Sequence, residues 1–368
     1  MLVKYFIFFL ALTTITLSSS IFMGYINRKT IIAQLKKDLI GKDSYRGVTL
    51  TYAWLANQFG HFSLGFIPTI IIYGFLKSKA GIQYPELWSA FGVWSAWILF
   101  EIINFLGPLV FKVPTKRKEL TNGNYTFSPA WMNVTFDTLT DLAYFGLGAL
   151  AASLVCHYNP AVLIGLIALL VLVAYPAYYW YTTKMYVQNA EYPLQLRLSQ
   201  WNQQIDDRNK SSILQFLDNK DQGKHMMIFG SKGSGKTTLS IGIATEASIK
   251  NKCCSYVTAV KLLGLFFEKA ASSQPAGKLW YWRNCNLLVI DDINPGRPVK
   301  GDIITTRLFY DLLNNVDCGP DNIQHIRDKN IIWVMGTDDP TNLLEQKWET
   351  LLLQIGVQKS NIITVNLD

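Results

Sequence analysis

The sequence predicts two parts: an α-helical membrane bundle of about five transmembrane helices, then an α/β domain built on a five-stranded parallel sheet. Three observations carry this. Half of the 368 residues are hydrophobic and only 16% are charged, and the apolar excess lies before about residue 182. Such a composition is too oily for an ordinary soluble chain, and the length exceeds one typical domain. Beyond that point short apolar runs alternate with helical segments, the pattern of parallel strands joined by crossover helices. The first such run, from His225, opens into a glycine-rich loop and then a helix.

In chain order, the apolar stretches of the first part are Tyr5–Tyr25, Tyr52–Leu76, Leu87–Phe111, Leu142–Tyr158 and Ala161–Tyr181. Each approaches the ~20 residues that a spanning helix requires. The second contains Asn57, Gln58 and His61 and the fourth is short, so either is open to a tilted or partly buried reading. The loop after the first stretch carries Arg28, Lys29, Lys36, Lys37, Lys42 and Arg46, and the loop after the third carries Lys112, Lys116, Arg117 and Lys118. Cytoplasmic loops retain positive charge, which places the N-terminus outside a plasma membrane and everything after Tyr181 inside. A cleaved signal peptide, with Lys4 ahead of an apolar run and Ser18–Ser20 after it, is the alternative for residues 1–24. It would leave the six-charge loop outside and export the second part. The segment Lys29–Lys42, with Ile31, Ile32, Leu35 and Leu39 at helical spacing, reads either as a helix lying on anionic membrane lipid or as a solvated loop helix.

A net charge of +8 could suggest nucleic acid, but its location argues otherwise. Residues 1–182 carry a net +6 and residues 183–368 a net +2, so the basicity is mostly membrane flank. Cys156, Cys253, Cys254, Cys285 and Cys318 show neither a disulfide framework nor metal-ligand spacing, which fits free thiols in a reducing compartment.

Ionisable residues within the apolar stretches are costly in hydrocarbon and so are functional candidates. They are His61, Glu101, Asp137 and Asp141. Asp137 and Asp141 share a helical face, and Gly146, Gly148, Ala149, Ala151 and Ala152 would let helices approach closely. His61-Phe62, a Glu in the next stretch and an Asp ahead of a Gly/Ala-rich stretch resemble VanZ-like membrane domains over about 100 residues. The resemblance implies a small polar cluster in the bundle and no particular reaction. A purely structural role, with His61 and Glu101 paired and the two Asp residues at the interface, is the alternative.

Residues 183–222 turn polar and mark the boundary, as linker and helix, with Ser211 and Ser212 capping a short helix through Ile213, Leu214, Phe216 and Leu217. The domain over 223–368 opens with the strand His225–Phe229. Gly230, Ser231, Lys232, Gly233, Ser234, Gly235, Lys236, Thr237 and Thr238 then satisfy GxxxxGK[ST], the Walker A pattern. The glycines let successive N–H groups face phosphate oxygens at a helix N-terminus. Lys236 is expected to reach the β- and γ-phosphates, and Thr237 to offer a hydroxyl to Mg²⁺. The strand Leu287–Ile290 ends in Asp291-Asp292, a Walker B arrangement: Asp291 would hold Mg²⁺ through water, and Asp292 would polarise the attacking water. Asp is shorter than the commoner Glu, so slow hydrolysis is expected; a turn-capping role before Asn294-Pro295-Gly296 is the alternative for Asp292. Strands at Ser255–Val257, Ile331–Met335 and Ile362–Asn366, with a helix at Ala259–Lys269, complete a parallel sheet. Its ligand crevice lies at the strands' C-terminal ends, where Gly230, Asp291 and Thr337 fall.

Residues 231–247, 255–268 and 286–293, within a span of roughly 211–368, resemble the helicase-loader and transposase-helper branch of the AAA+ P-loop ATPases, the DnaC and IstB type. The resemblance implies ATP and Mg²⁺ as cofactors, a polar sensor at Thr337 or Asp338, and a homo-oligomer or a partner protein. Asp338 stands where many relatives have Asn. The chain finishes on the fifth strand, without the helical lid usual in AAA+ proteins, and no Arg follows Arg327, so an arginine finger would come from a partner unless Lys347 or Lys359 substitutes. The expected function is a membrane-anchored slow ATPase or nucleotide switch. The alternatives are an ATP-gated channel, transporter or VanZ-like enzyme using the membrane cluster, and nucleic-acid handling at the membrane.

Overall fold

Local chemistry starts the first described helix, α1 (Leu50–Lys77), because the Thr49 side chain accepts from the Tyr52 N–H and caps the first turn. The structure is a computed structural model that describes residues 49–79, 81–103, 126–128, 131–218, 222–268, 280–294, 302–315, 317, 321–336 and 343–368. These fall into two units: residues up to 103 with 131–185, and residues 126–128 with 186 onward.

The first unit is helical: α1, then α2 (Pro85–Glu101), α3 (Trp131–Cys156) and α4 (Pro160–Asn189), the last continuing a few residues into the second unit. Among the described residues, three helices are long and apolar enough to cross a membrane, over Leu50–Lys77, Asn133–Cys156 and Pro160–Asn189. This revises the expectation of five. The Tyr5–Tyr25 stretch lies outside the described residues. Of the Leu87–Phe111 stretch, residues up to Glu101 lie in the 17-residue α2, and residues 104–125 lie outside the described residues. The fourth stretch is longer than its apolar core suggests: α3 starts at Trp131, so Asp137 and Asp141 lie inside the helix. Glycines let α1 and α3 touch backbone to backbone. A Cβ at Gly65 would stand 2.0 Å from the Phe145 carbonyl oxygen, and one at Gly148 would stand 2.0 Å from that of Phe62. Apolar side chains such as Ile71, Ile164, Val171 and Leu172 face outward.

The second unit follows α5 (Asp207–Asp218) with β1 (His225–Gly230), α6 (Lys236–Ile249), β2 (Cys254–Thr258), α7 (Ala259–Phe266), β3 (Leu287–Ile293), α8 (Thr306–Leu313), α9 (Asn322–Arg327), β4 (Asn330–Gly336), α10 (Leu343–Gln354) and β5 (Ile362–Asn366). The five strands form one parallel sheet in the order β2-β3-β4-β1-β5. Strands buried on both faces are mostly apolar on both, and β1 is buried throughout. One face packs Met226, Ile228, Ile332 and Val334 against Ile213 and Phe216 of α5 and Leu239 and Ile243 of α6. The other face carries an aromatic cluster in which Phe309, Trp333 and Trp348 stand 5.6–5.7 Å apart.

The polar stretch that composition marks as a linker lies against this domain instead of standing free. Leu198 and Trp201 are buried, the Arg197 guanidinium grips Glu246 of α6 with bonds of 2.7 and 3.1 Å, and Phe127 packs on Trp201 in the same core. The few apolar anchors decide its placement, and they are too sparse to show in composition.

Candidate functional site

The connections out of β1 and β4 run to opposite sides of the sheet, since β2 lies beyond β3 and β5 lies beyond β1. Adjacent strands whose chains depart in opposite directions leave a crevice at their C-terminal ends. Gly230 ends β1 there, and the loop turns into α6 at Lys236. Gly233 and Gly235 hold φ of 87° and 81°, a region costly for residues with a Cβ. A Cβ at Gly230 would stand 2.5 Å from the Ser234 hydroxyl, so the loop closes only over glycine.

The loop positions its own cation. The Lys236 ammonium donates to the carbonyls of Gly230 at 2.7 Å and Ser231 at 2.6 Å, which holds it over the loop. Thr237 Oγ1 donates to Asp291 Oδ1 at 3.2 Å, so the hydroxyl and the carboxylate meet across the sheet. Asp291 is buried and its second oxygen accepts from the Tyr256 hydroxyl at 2.6 Å. Burial, the bond to Asp291 and the nearby negative charges push the Tyr256 phenol well above its ordinary range, so it stays a donor. Thr258 pairs with Asp291 across β2 and β3, and this register brings Tyr256 within reach.

The two adjacent carboxylates part company at a β-bulge. Ile290 pairs with Trp333 and Ile293 with Met335, so Asp291 and Asp292 together oppose one residue of β4. Asp292 takes φ 58° and is exposed, while its N–H donates to Asp291 Oδ1 at 2.8 Å. Partial burial first, and then the Asp291 charge, raise the Asp292 carboxyl above the usual range, and Lys236 opposes this. Beyond the bulge, both ends of the Asn294 amide bond the Ile304 backbone at 3.0 Å and pin the far side of the connection after β3.

A hydroxyl and a carboxylate 3.2 Å apart are hard oxygen donors of the kind Mg²⁺ takes. Among the described residues no group of three or more His, Cys, Asp or Glu could hold a metal unaided, so Mg²⁺ here would draw further oxygens from phosphate and water. Lys236 and the loop would face the phosphates. Thr337 and Asp338, the expected sensor positions, lie outside the described residues.

Three contacts on the loop were not visible in the sequence. Trp201 Nε1 donates to the Gly235 carbonyl at 3.1 Å, and the Gln203 amide lies where a Gly235 Cβ would be, 2.7 Å from its nitrogen. The Asp368 carboxylate accepts from the Ser231 N–H at 2.7 Å. Only the sheet register and chain reversal bring these distant residues to the loop.

In the helical unit, His61 Nε2 lies 3.5 Å from Asp141 Oδ1, which also accepts from Gln58 Nε2 at 2.9 Å, and Asn57 bonds His61 at 2.9 Å. Gln58 is buried, with its Oε1 unpartnered, and His61 Nδ1 is unpartnered as well. Glu101 is buried on α2, which packs on α3, whereas Asp137 is exposed. His61 thus meets Asp141.

No family model matches the chain, and no curated protein matches it. Among solved structures, a crystal structure of DnaI matches with 20% sequence identity and a TM-score of 0.30, over 47% of this chain and 88% of that one. At that identity and TM-score the likeness adds nothing to the reading of the site.

Proposed function

We propose that the chain is a membrane-anchored ATP-binding protein whose second unit works as a slow Mg²⁺-dependent ATPase or nucleotide switch. The observation that carries this reading is the convergence of Lys236, Thr237 and Asp291 around a glycine loop at the crevice of a parallel sheet. Lys236 would bind the β- and γ-phosphates, Thr237 and Asp291 would hold Mg²⁺, and Asp292 would polarise water. With no Arg between β4 and β5, rapid turnover would wait on an arginine from elsewhere, such as another copy or a partner, a contribution of about 10³–10⁵ in well-studied cases. Anchoring rests on three long apolar helices with outward Ile71, Val171 and Leu172, and the basic loops favour a cytoplasmic second unit. Turnover by detergent-purified protein is the test. Slow Mg²⁺-dependent hydrolysis lost in Asp292→Asn, with ATP binding retained, supports it; unchanged turnover in Asp292→Asn removes Asp292 from the reaction.

A second reading is favoured by one observation, the half-buried contact of His61, Gln58 and Asp141. On this reading the helical unit carries a transport or enzymatic function that the nucleotide controls. Substituting His61→Ala and Asp141→Asn would then abolish cellular function while ATP binding stays intact, and unaltered function in the folded double variant would eliminate it.

A further inference from the structure

The segments that enter β1, β3 and β4 line an open polar cavity of about 470 Å³ at the end of the sheet opposite the glycine loop. Gln222, Arg283, Asn286, His325 and Lys329 are among its lining residues. Behind these residues the fully buried indole of Trp282 packs against three of them.

Two cations share that indole. The Arg283 guanidinium lies 4.7 Å from the ring centroid and the Lys329 ammonium 5.8 Å from it. The His325 ring stands edge-on to the same indole at 6.2 Å. Neutral groups hold both cations in place. Arg283 donates twice to Asn322 Oδ1, at 3.2 and 3.1 Å, and Lys329 donates to the Trp282 carbonyl and lies 3.9 Å from Cys285 Sγ. Among the described residues neither has a carboxylate in ion-pair range. Asp328 lines the cavity but is taken by Arg327 at 2.7 Å, and Asp321 lines it without pairing with either cation. Arg283 Nη1 is buried without a partner.

A buried charge is tolerated when a counter-charge accompanies it. Lys329 is only 7% exposed, and burial pushes its ammonium below the usual lysine range. Arg283 is half-buried with its Nη1 enclosed, and a guanidinium keeps its charge in proteins. Around the two cations, Asn284, Asn286 and Gln324 offer amide donors to the same space.

We infer that this cavity is a binding site for a small oxyanion, with Arg283 and Lys329 supplying the charge and the surrounding amides and His325 supplying hydrogen bonds. The site is separate from the glycine loop and does not rest on that loop's function. Inorganic phosphate is the probe, titrated calorimetrically into full-length protein carrying Lys236→Ala so that the loop does not contribute. The expected result is one saturable site weakened at least about tenfold by Arg283→Gln and also weakened by Lys329→Met. Should Arg283→Gln fail to fold, two further measurements decide. Phosphate should raise the thermal midpoint of the Lys236→Ala protein where chloride at equal ionic strength does not. Arg283→Lys, which keeps the charge, should retain weakened binding. Absence of saturable binding, or binding unaffected by both Arg283→Gln and Lys329→Met, overturns the inference. So does a midpoint that rises equally with chloride, or a Lys329→Met protein that is more stable while phosphate shifts neither protein, since the lysine is then simply neutral.

Discussion

Replacing Gly235 with alanine tests how strictly the loop conformation controls nucleotide binding. At φ 81°, an alanine would bear the left-handed penalty of about 1–2 kcal/mol. Its Cβ would also come 2.7 Å from the Gln203 side-chain nitrogen, which a flexible side chain can relieve by turning away. A free loop can relax out of the strained conformation, so binding must restore it, and the penalty appears in affinity. By the rule that 1.4 kcal/mol is tenfold, Gly235→Ala should weaken Mg·ATP binding by roughly 5- to 30-fold. Calorimetric titration of wild type, Gly235→Ala, Gln203→Ala and the double variant separates the two causes. Adding Gln203→Ala should return only the steric part. Affinity within twofold of wild type in Gly235→Ala, or complete recovery in the double variant, would refute the backbone argument.

Trp348→Ala should cost about 3–5 kcal/mol, read as a lowered unfolding midpoint, because the side chain is fully buried between Phe309 and Trp333. His225, fully buried, accepts from Trp333 Nε1 at 3.1 Å and donates to the Arg327 carbonyl at 3.3 Å. Burial lowers its pKa from 6.5 to about 4, so the unfolded chain binds the proton first. Stability should be full above about pH 6.5 and fall by about 3 kcal/mol as pH drops towards 4, and unfolding midpoints across that window should flatten in His225→Gln. Glu246→Gln, which removes the charge gripped by Arg197, should destabilise by about 1–2 kcal/mol and speed limited proteolysis around residue 200. Asp368→Asn should tighten ATP binding about two- to fivefold at low salt, with the gain fading as salt rises, because it removes a negative charge 2.7 Å from the Ser231 N–H.

Much of the second unit was legible because its strands are buried on both faces and read as apolar runs, as His225–Phe229, Leu287–Ile290 and Ile331–Met335 do. The glycine loop was legible because few sequences satisfy its φ angles. The sheet order was not, since alternating strands and helices are compatible with several orders. Nor was the meeting of Thr237, Asp291 and Tyr256, which depends on the register of β2 against β3. Adjacent Asp291 and Asp292 suggested two roles, but only the bulge explains how neighbouring strand residues can serve one crevice. In the helical unit, hydropathy found the apolar core from Leu142 and missed the polar turns before it, where Asp141 meets His61. Packing against Gln58 and His61, rather than sequence polarity, accommodates those turns in the helix.

Equilibrium binding of Mg·ATP to the full-length protein beside Lys236→Ala decides whether the loop from Gly230 to Thr238 is a nucleotide-phosphate site. The wild type should show one saturable Mg²⁺-dependent site that Lys236→Ala weakens at least about tenfold, since the variant removes the cation held over the loop. Equal affinity in the two proteins, or no saturable binding in the wild type, would contradict it.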